Sequence, residues 1–264
     1  MLPGAGASPS HLRKLSCLKD PRFGTRVQHI LNDTTLKSRF LEANKYFSPE
    51  IVIANNSHWS IEELREIEAE RHLILPGAVD VELFSPSIKS FDRNKIIIGN
   101  YIRKNPSFFL KVFSKLPDNF FAHLYGNVDN IDKDIHHRLS KNKRIFLKGP
   151  LFNYKLRDFY RSLDLLITSD TGAGWCNPAA ETMSCGIPAV LSPHGTIDFA
   201  RHMFNSLVLT SLSVDEAVKY IHILAEDSSL KRTISDNARK SMYNFSWNVY
   251  TKKMLNFISE PLKK

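Results

Sequence analysis

The sequence predicts an α/β protein built on a parallel sheet with helices on both faces. Three observations predict it. Short apolar runs alternate with amphipathic stretches from Arg26 onward, several runs stop at a glycine, and the amphipathic stretches carry their apolar residues at helical spacing. Strands separated in this way by helices imply right-handed β-α-β units and a sheet buried on both sides. In such a sheet, ligands bind at the carboxyl ends of the strands, so the loops there are the ones to inspect.

The elements follow in order. Residues 1–25 mix Gly, Pro, Ser and basic residues without period and read as an unstructured lead-in. Gly4-Ala5-Gly6 imitates a dinucleotide loop, but no strand precedes it and Pro9 interrupts the helix it would need. Val27 to Leu31 is strand-like, 34–47 helix-like, and Glu50 to Ala54 a short buried strand. Ser60-Ile61-Glu62-Glu63 has the capping-box form, with Ile61, Leu64 and Ile67 on one face behind it. His72 to Leu75 is a strand ended by Pro76-Gly77, and 84–90 reads as a linker.

Beyond the linker the alternation becomes regular. Lys95 to Ile98 is a strand ended by Gly99, Ser107 to Leu116 a helix, Phe120 to Tyr125 a strand ended by Gly126, and Arg144 to Leu147 another ended by Gly149. Leu156, Phe159, Tyr160 and Leu163 form one helical face, and Leu165 to Ile167 is a strand. Asn177 as N-cap and Pro178 in the first helical position open a short helix closed by Gly186, and Ile187 to Leu191 returns as a strand. Ser213 caps a helix with Val214, Ala217, Val218, Ile221 and Leu224 as its stripe.

Composition narrows the function classes. The 264 residues allow one large or two modest domains, and 42% hydrophobic residues supply a sizeable core. Lys plus Arg at 36 against Asp plus Glu at 27 leaves +9, which points to nucleic acid, a phosphorylated ligand or an acidic membrane without choosing among them. The cations are scattered and no aromatic-basic recognition motif appears, so nucleic acid is not the expected partner. No apolar run approaches the ~18 residues of a membrane span, and MLPGAGASPS lacks the pattern of a signal peptide, so the expected location is cytoplasmic. Cys17, Cys176 and Cys185 form no C-x-x-C pair and are read as reduced thiols. Metalloprotease, P-loop and serine-esterase signatures are absent from the sequence.

Three strand-end loops could carry chemistry. Gly99 to Pro106 places Arg103 and Lys104 before a helix start, which is either an anion site suited to phosphate or a solvated basic turn. Thr168 to Pro188 holds Gly172 and Gly174, which let backbone approach a ligand, and then the helix start at Asn177-Pro178. Glu181, expected in the first turn, either accepts hydrogen bonds from a vicinal diol or stabilises the helix dipole from the surface. Ser192 to Thr196 adds a third polar strand end, with His194 read as structural or solvated, like His136-His137.

The combination is more specific than its parts. Gly174-Trp175-Cys176-Asn177-Pro178-Ala179-Ala180-Glu181-Thr182-Met183-Ser184-Cys185-Gly186-Ile187-Pro188-Ala189-Val190 resembles the E-G-F-G-x-P-x-x-E-A-M-A-C-G-x-P-V-V signature of glycosyltransferase family 4. Pro76-Gly77-Ala78-Val79-Asp80 with Phe84 and Pro86 resembles the family's P-N-G-V-D-x-x-x-F-x-P interdomain segment. Phe146 to Pro150 followed by Tyr154 to Asp164 is similar to its F-L-G strand and following helix, and Phe245-Ser246-Trp247 to the F-S-W that opens its closing helix. The resemblance spans about residues 26–258 and is strongest over 95–258.

The resemblance implies the GT-B architecture of two Rossmann-like domains, a nucleotide-sugar donor, retention at the anomeric carbon and no metal or other cofactor. It implies a hexosyl-type transferase acting on a glycan or lipid-linked acceptor in surface polysaccharide or lipopolysaccharide synthesis; the basic surplus would suit peripheral docking to an anionic membrane at its cytoplasmic face. Residues 1–75 would be the remnant of the acceptor-side domain, 76–94 the interdomain linker, and 95–264 the nucleotide-sugar-binding domain including the closing helix. The donor residues it implies are Gly99, Arg103, Lys104, Gly149, Leu151, Gly174, Asn177, Pro178 and Glu181. Among them Glu181 matches the second Glu of the family's E-x7-E pair, which binds ribose. Lys104 with Arg103 occupies the diphosphate region, and Gly149 to Leu151 lies near the base.

Two departures accompany the resemblance. The first Glu of E-x7-E falls on Ala173, so either Asp170 substitutes for it or the sugar preference is altered or lost. The stretch before Pro76 is short for a full Rossmann unit, which implies a chain lacking most of the N-terminal domain, with catalytic groups expected partly in that missing part. The alternative reading is a non-catalytic nucleotide- or partner-binding module derived from such an enzyme.

Overall fold

A computed structural model describes residues 52–55, 71–87, 94–129, 131–171 and 174–259. The chain divides into two compact units, Met1–Gly77 with Asn248–Lys264, and Ala78–Trp247. In the first unit, strands β1 (Val52–Asn55) and β2 (Arg71–Ile74) pair in parallel, from Val52 opposite Arg71 to Asn55 opposite Ile74. Each lies within a residue or two of its expected place. The expected strand at 27–31, the helix at 34–47 and the capped helix after Ser60 lie outside the described residues.

The second unit carries a six-stranded sheet. Its strands are β3 (Ile96–Tyr101), β4 (Phe120–Tyr125), β5 (Ile145–Leu147), β6 (Leu165–Ile167), β7 (Ala189–Leu191) and β8 (Leu207–Val208). They lie in the order β5-β4-β3-β6-β7-β8 and every neighbouring pair is parallel. The helices are α1 (Pro106–Phe113), α2 (Lys133–Lys141), α3 (Asn153–Arg161), α4 (Asn177–Ser184), α5 (Val214–Glu226) and α6 (Ser228–Met242). A short 3-10 turn at Tyr243–Phe245 leads to an extended Ser246, after which α7 (Trp247–Ser259) begins where the Phe245-Ser246-Trp247 motif places it. The sequence reading grouped that closing helix with the second unit; apart from Trp247, its residues group with the first.

The pleat of β6 shows why the sheet is covered on both faces. Leu165 and Ile167 point into one core with Ile98, Phe120, Ala122 and Leu124, against Phe109, Val112 and Phe113 of α1 and Ala217, Ile221 and Leu224 of α5. Leu166 points into the other, with Tyr125, Ala189 and Leu191, against Phe159 and Tyr160 of α3 and Ala179, Ala180 and Met183 of α4. Alternation along a strand sends consecutive side chains to opposite faces, so a run such as Leu165-Leu166-Ile167 has no polar member.

Several boundaries shift for identifiable reasons. Strand β3 runs on through Gly99 to Tyr101, because Asn100 and Tyr101 continue the ladder opposite Leu124 and Tyr125. Gly99 is needed for close packing: a Cβ there would sit 2.1 Å from Leu163 Cδ1. Helix α1 starts at Pro106, with Asn105 in the left-handed region (φ 48°) capping Phe108 N–H at 3.2 Å. It stops at Phe113, three residues short of the expected end. Strand β7 begins only at Ala189.

Segment 81–86, which enters the sheet domain, is fastened by two arginines. Arg239 of α6 donates through Nη1 to the carbonyls of Val81 (3.0 Å), Phe84 (3.1 Å) and Ser184 (2.8 Å). Arg161 of α3 donates to Ser85 O at 2.6 Å. Replacing Arg239 by Leu leaves three partly buried carbonyls without that donor. Urea unfolding of Arg239→Leu is expected to show a loss of roughly 1–3 kcal/mol, and an unchanged midpoint would contradict the fastening role.

Candidate functional site

The strand order reverses between β3 and β6. The chain leaves β3 toward β4 on one side, and β6 leads to β7 on the other, so the loops at their carboxyl ends diverge and leave a crevice. Asn100, buried near the end of β3, donates through Nδ2 to Ile167 O at 2.8 Å and ties the two strand ends together. Its Oδ1 is buried without a hydrogen-bond partner.

On the two lips of this crevice the expected cation meets a carboxylate. Lys104 Nζ lies 3.7 Å from Asp170 Oδ1, with the Asp170 side chain 7% exposed and that of Lys104 46%. The Ser169 hydroxyl donates to Lys104 O, fixing the backbone beneath the lysine. The Cys176 thiol donates to Asp170 Oδ2 at 3.5 Å, which draws the start of α4 into the same cluster. Burial raises the Asp170 carboxyl above its ordinary range, with the Lys104 ammonium opposing the shift. The nearby Cys176 thiol is pushed well up by burial, and then by the Asp170 charge. Arg103 is exposed and has no hydrogen-bond or ion-pair partner among the described residues, so the structure brings Lys104 into the cluster and not its neighbour.

The start of α4 differs from the expectation by one residue. Cys176 is the N-cap, Asn177 the first helical residue and Pro178 the second. The cap carries no side-chain hydrogen bond, because a thiol is a poorer acceptor for the first-turn amides than an Asn oxygen. Glu181 is therefore the fifth helical residue and lies beyond the first turn, where the dipole reading loses its basis. Its carboxylate turns inward: Oε2 accepts from Tyr160 Oη at 2.8 Å, and Tyr160 Oη lies 2.6 Å from Tyr125 Oη. Burial pushes the Glu181 carboxyl from its ordinary 4.5 up to about 7, while the Tyr160 hydrogen bond opposes the shift. Both tyrosines are driven well above their ordinary range, chiefly by burial, and stay neutral.

The remaining expected residues are placed as follows. Gly149 lies between β5 and α3 at φ 68° with open space where a Cβ would be, and its carbonyl accepts from Gly126 N–H at 2.9 Å. Leu151 is half-buried against the Tyr160 core. Gly174 is buried, Asn177 exposed and Pro178 half-buried, while Gly172 and Ala173 lie outside the described residues. His194 is exposed; its loop is held by Ser192 N–H donating to Thr168 Oγ1 and by Cys176 N–H donating to Gly195 O. His136 and His137 sit on α2, away from this cluster's partners.

Sequence reasoning missed Asn100, Ser169, Cys176, Tyr160 and Tyr125. A buried tyrosine needs a partner for its hydroxyl, and that was the one available signal, but it does not say where the partner is. The shifted carboxyl makes a measurable difference to stability. Between its unfolded value near 4.5 and its folded value of about 7, the folded chain holds more proton on Glu181 than the unfolded chain, so this group's contribution falls as pH rises through that window. Gln at 181 is indifferent to pH. Urea unfolding of Glu181→Gln is expected to gain roughly 1–3 kcal/mol on the parent chain between about pH 5 and about pH 8. Parallel pH profiles would contradict the burial of the carboxyl.

Known proteins share this fold. The Methanocaldococcus jannaschii uncharacterized glycosyltransferase MJ1607 is 22% identical over 182 residues, 66% of this chain and 47% of that protein. The chain thus spans about half the length of this curated relative. Anabaena Alr3699/HepE, solved in complex with UDP and glucose, superposes with a TM-score of 0.75 at 17% identity, covering 88% of this chain and 70% of that one. Sucrose-phosphate synthase from Thermosynechococcus elongatus gives 0.74 at 16% identity, covering 86% and 61%. These likenesses establish the Rossmann-like GT-B fold. The family model for glycosyl transferases group 1 matches residues 86–241, more than half of the chain and nearly all of the sheet domain. The chain is a member of the glycosyl transferases group 1 family.

Proposed function

We propose that the crevice between β3 and β6 binds the nucleoside diphosphate of an activated sugar and that the protein transfers the sugar, with retention, to a glycan or lipid-linked acceptor. The observation that carries this reading is the convergence of Lys104, Asp170 and the start of α4, through Cys176, at the carboxyl ends of β3 and β6. The UDP and glucose held by the similar Anabaena protein support a nucleotide-sugar donor.

In the proposed arrangement the diphosphate displaces Asp170 from Lys104. Glu181 faces the ribose diol, and Gly149 and Leu151 border the base. As the anomeric C–O bond breaks, its electron pair goes to the diphosphate. The Lys104 ammonium and the α4 terminus then stabilise charge that is larger in the transition state than in the bound donor. The acceptor hydroxyl oxygen forms the new bond to the anomeric carbon, and its proton passes to the departing diphosphate oxygen. The +9 surplus supports docking at an anionic membrane surface, where a lipid-linked acceptor would be presented.

One sequence feature favours a second reading. Ala173 stands where the family motif has its first Glu, the residue that addresses the donor sugar, and this suits a module that binds nucleotide without turnover. Calorimetry with UDP-glucose, GDP-mannose and ADP-glucose tests both. The expected result is binding of one of them, weakened about 10- to 100-fold in Lys104→Ala. Failure of all three to bind would contradict the reading of the crevice. Binding without release of sugar to water or acceptor would favour the non-catalytic module.

A further inference from the structure

Resting on that reading of the crevice, we propose that Tyr160 is the positioning residue for Glu181. With Tyr125 behind it, Tyr160 holds the carboxylate by one oxygen, so that the other is presented to the 2′,3′-diol of a bound ribonucleotide.

Proton counting fixes the direction of the chain when Glu181 is charged. A tyrosine hydroxyl carries one proton, and that of Tyr160 is committed to Glu181 Oε2. The contact between the two tyrosine oxygens must then be a donation from Tyr125 to Tyr160. The three groups form a chain in one direction, Tyr125 to Tyr160 to Glu181, in which each bond polarises the next and the last acceptor is the carboxylate. Reversing it would leave Glu181 Oε2 without its donor.

The chain is held rigidly. Tyr160 has no solvent exposure and packs edge-on against Tyr125, with centroids 5.8 Å apart at 88°, and 5.9 Å from the Phe84 ring. Tyr125 is itself wedged between Tyr101 at 5.0 Å and Phe159 at 4.9 Å. Neither hydroxyl oxygen can move elsewhere without disturbing this packing. Glu181 is only half-buried, and its Oε1 has no hydrogen-bond partner among the described residues. One carboxylate oxygen is therefore clamped and the other is left for an outside donor.

Among the described residues packed against α4, the tyrosine chain is the group bonded directly to this carboxylate. Helix α3 contributes Tyr160, with Arg157 and Arg161 acting on Cys185 at the far end of α4. Helix α6 contributes Arg239, which bonds Ser184 at that same end. Strand β7 offers only Ala189, Val190 and Leu191. Cys185, pushed up to about 12 by burial, and Cys176 at the helix start remain thiols.

The test measures affinity for UDP-glucose and GDP-mannose by calorimetry from about pH 5.5 to about pH 8.5. Neither diphosphate diester titrates in that range. For the nucleotide sugar that binds, affinity is expected to rise with pH around a midpoint near 7, and its 2′,3′-dideoxy analogue to lose that rise, keeping only the dependence that Asp170 beside Lys104 contributes to both ligands. Tyr160→Phe removes the bond that favours the charged form, so its midpoint is expected to move up by about half a unit to one unit, with affinity at neutral pH reduced roughly three- to tenfold. Tyr125→Phe, which keeps the bond to Glu181 but removes the donor behind it, is expected to shift in the same direction by less, and it carries the test if Tyr160→Phe does not fold. Binding whose pH midpoint and diol discrimination are unchanged in the folded variants would overturn the positioning role and leave the crevice reading standing. If neither nucleotide sugar binds the parent chain at any pH, the crevice reading fails and this inference fails with it.

Discussion

The meeting of Lys104 and Asp170 follows from one topological constraint, the reversal of strand order between β3 and β6. A parallel sheet built outward in two directions from this pair must send its connections apart. The bond from Asn100 Nδ2 to Ile167 O holds the two carboxyl ends in register. The Ser169 hydroxyl on Lys104 O then fixes the backbone one step further out. A cation and a carboxylate that are distant in sequence are thereby brought to the same few ångströms, on lips whose separation the sheet sets.

The second constraint is the cost of burying polar groups. Asp170 and Glu181 are both carboxylates removed from much of their solvent, and each pays in a raised affinity for its proton. A surface position would have avoided that. Each keeps charge-stabilising partners instead, Lys104 and the Cys176 thiol for Asp170 and the tyrosine pair for Glu181. Partly buried carboxyls with perturbed titration gather at binding sites more often than elsewhere. The unpartnered Asn100 Oδ1 at the same strand end belongs to the same pattern.

Much of the fold was legible because burial on both faces leaves an unmistakable record. The runs at 96–98, 120–125 and 165–167 have to be apolar throughout or in alternation, and Ser213 before Val214 caps α5 as its sequence says. Helix α2 left little trace, since Leu139 is its one fully buried residue among charged neighbours. Helix α6 shows the core only Ile234, Ala238 and Met242, too sparse a stripe to stand out, and β8 is two residues long. At the site, the motif singled out Lys104, which lies beside Asp170, Glu181, which accepts from Tyr160, and Gly99, which packs closely against Leu163. The tyrosine chain joins β4, α3 and α4 across long stretches of sequence, and no local pattern could announce it.

The proposed nucleotide site is the crevice at the carboxyl ends of β3 and β6. Hydrogen exchange of backbone amides, with and without a saturating nucleotide sugar, reads it directly. The account predicts new protection concentrated in 102–105, 168–171 and the first turns of α4, with the amino ends of the strands and α5 unchanged. Protection confined to α5 and α6, or spread evenly over the sheet domain, would contradict it.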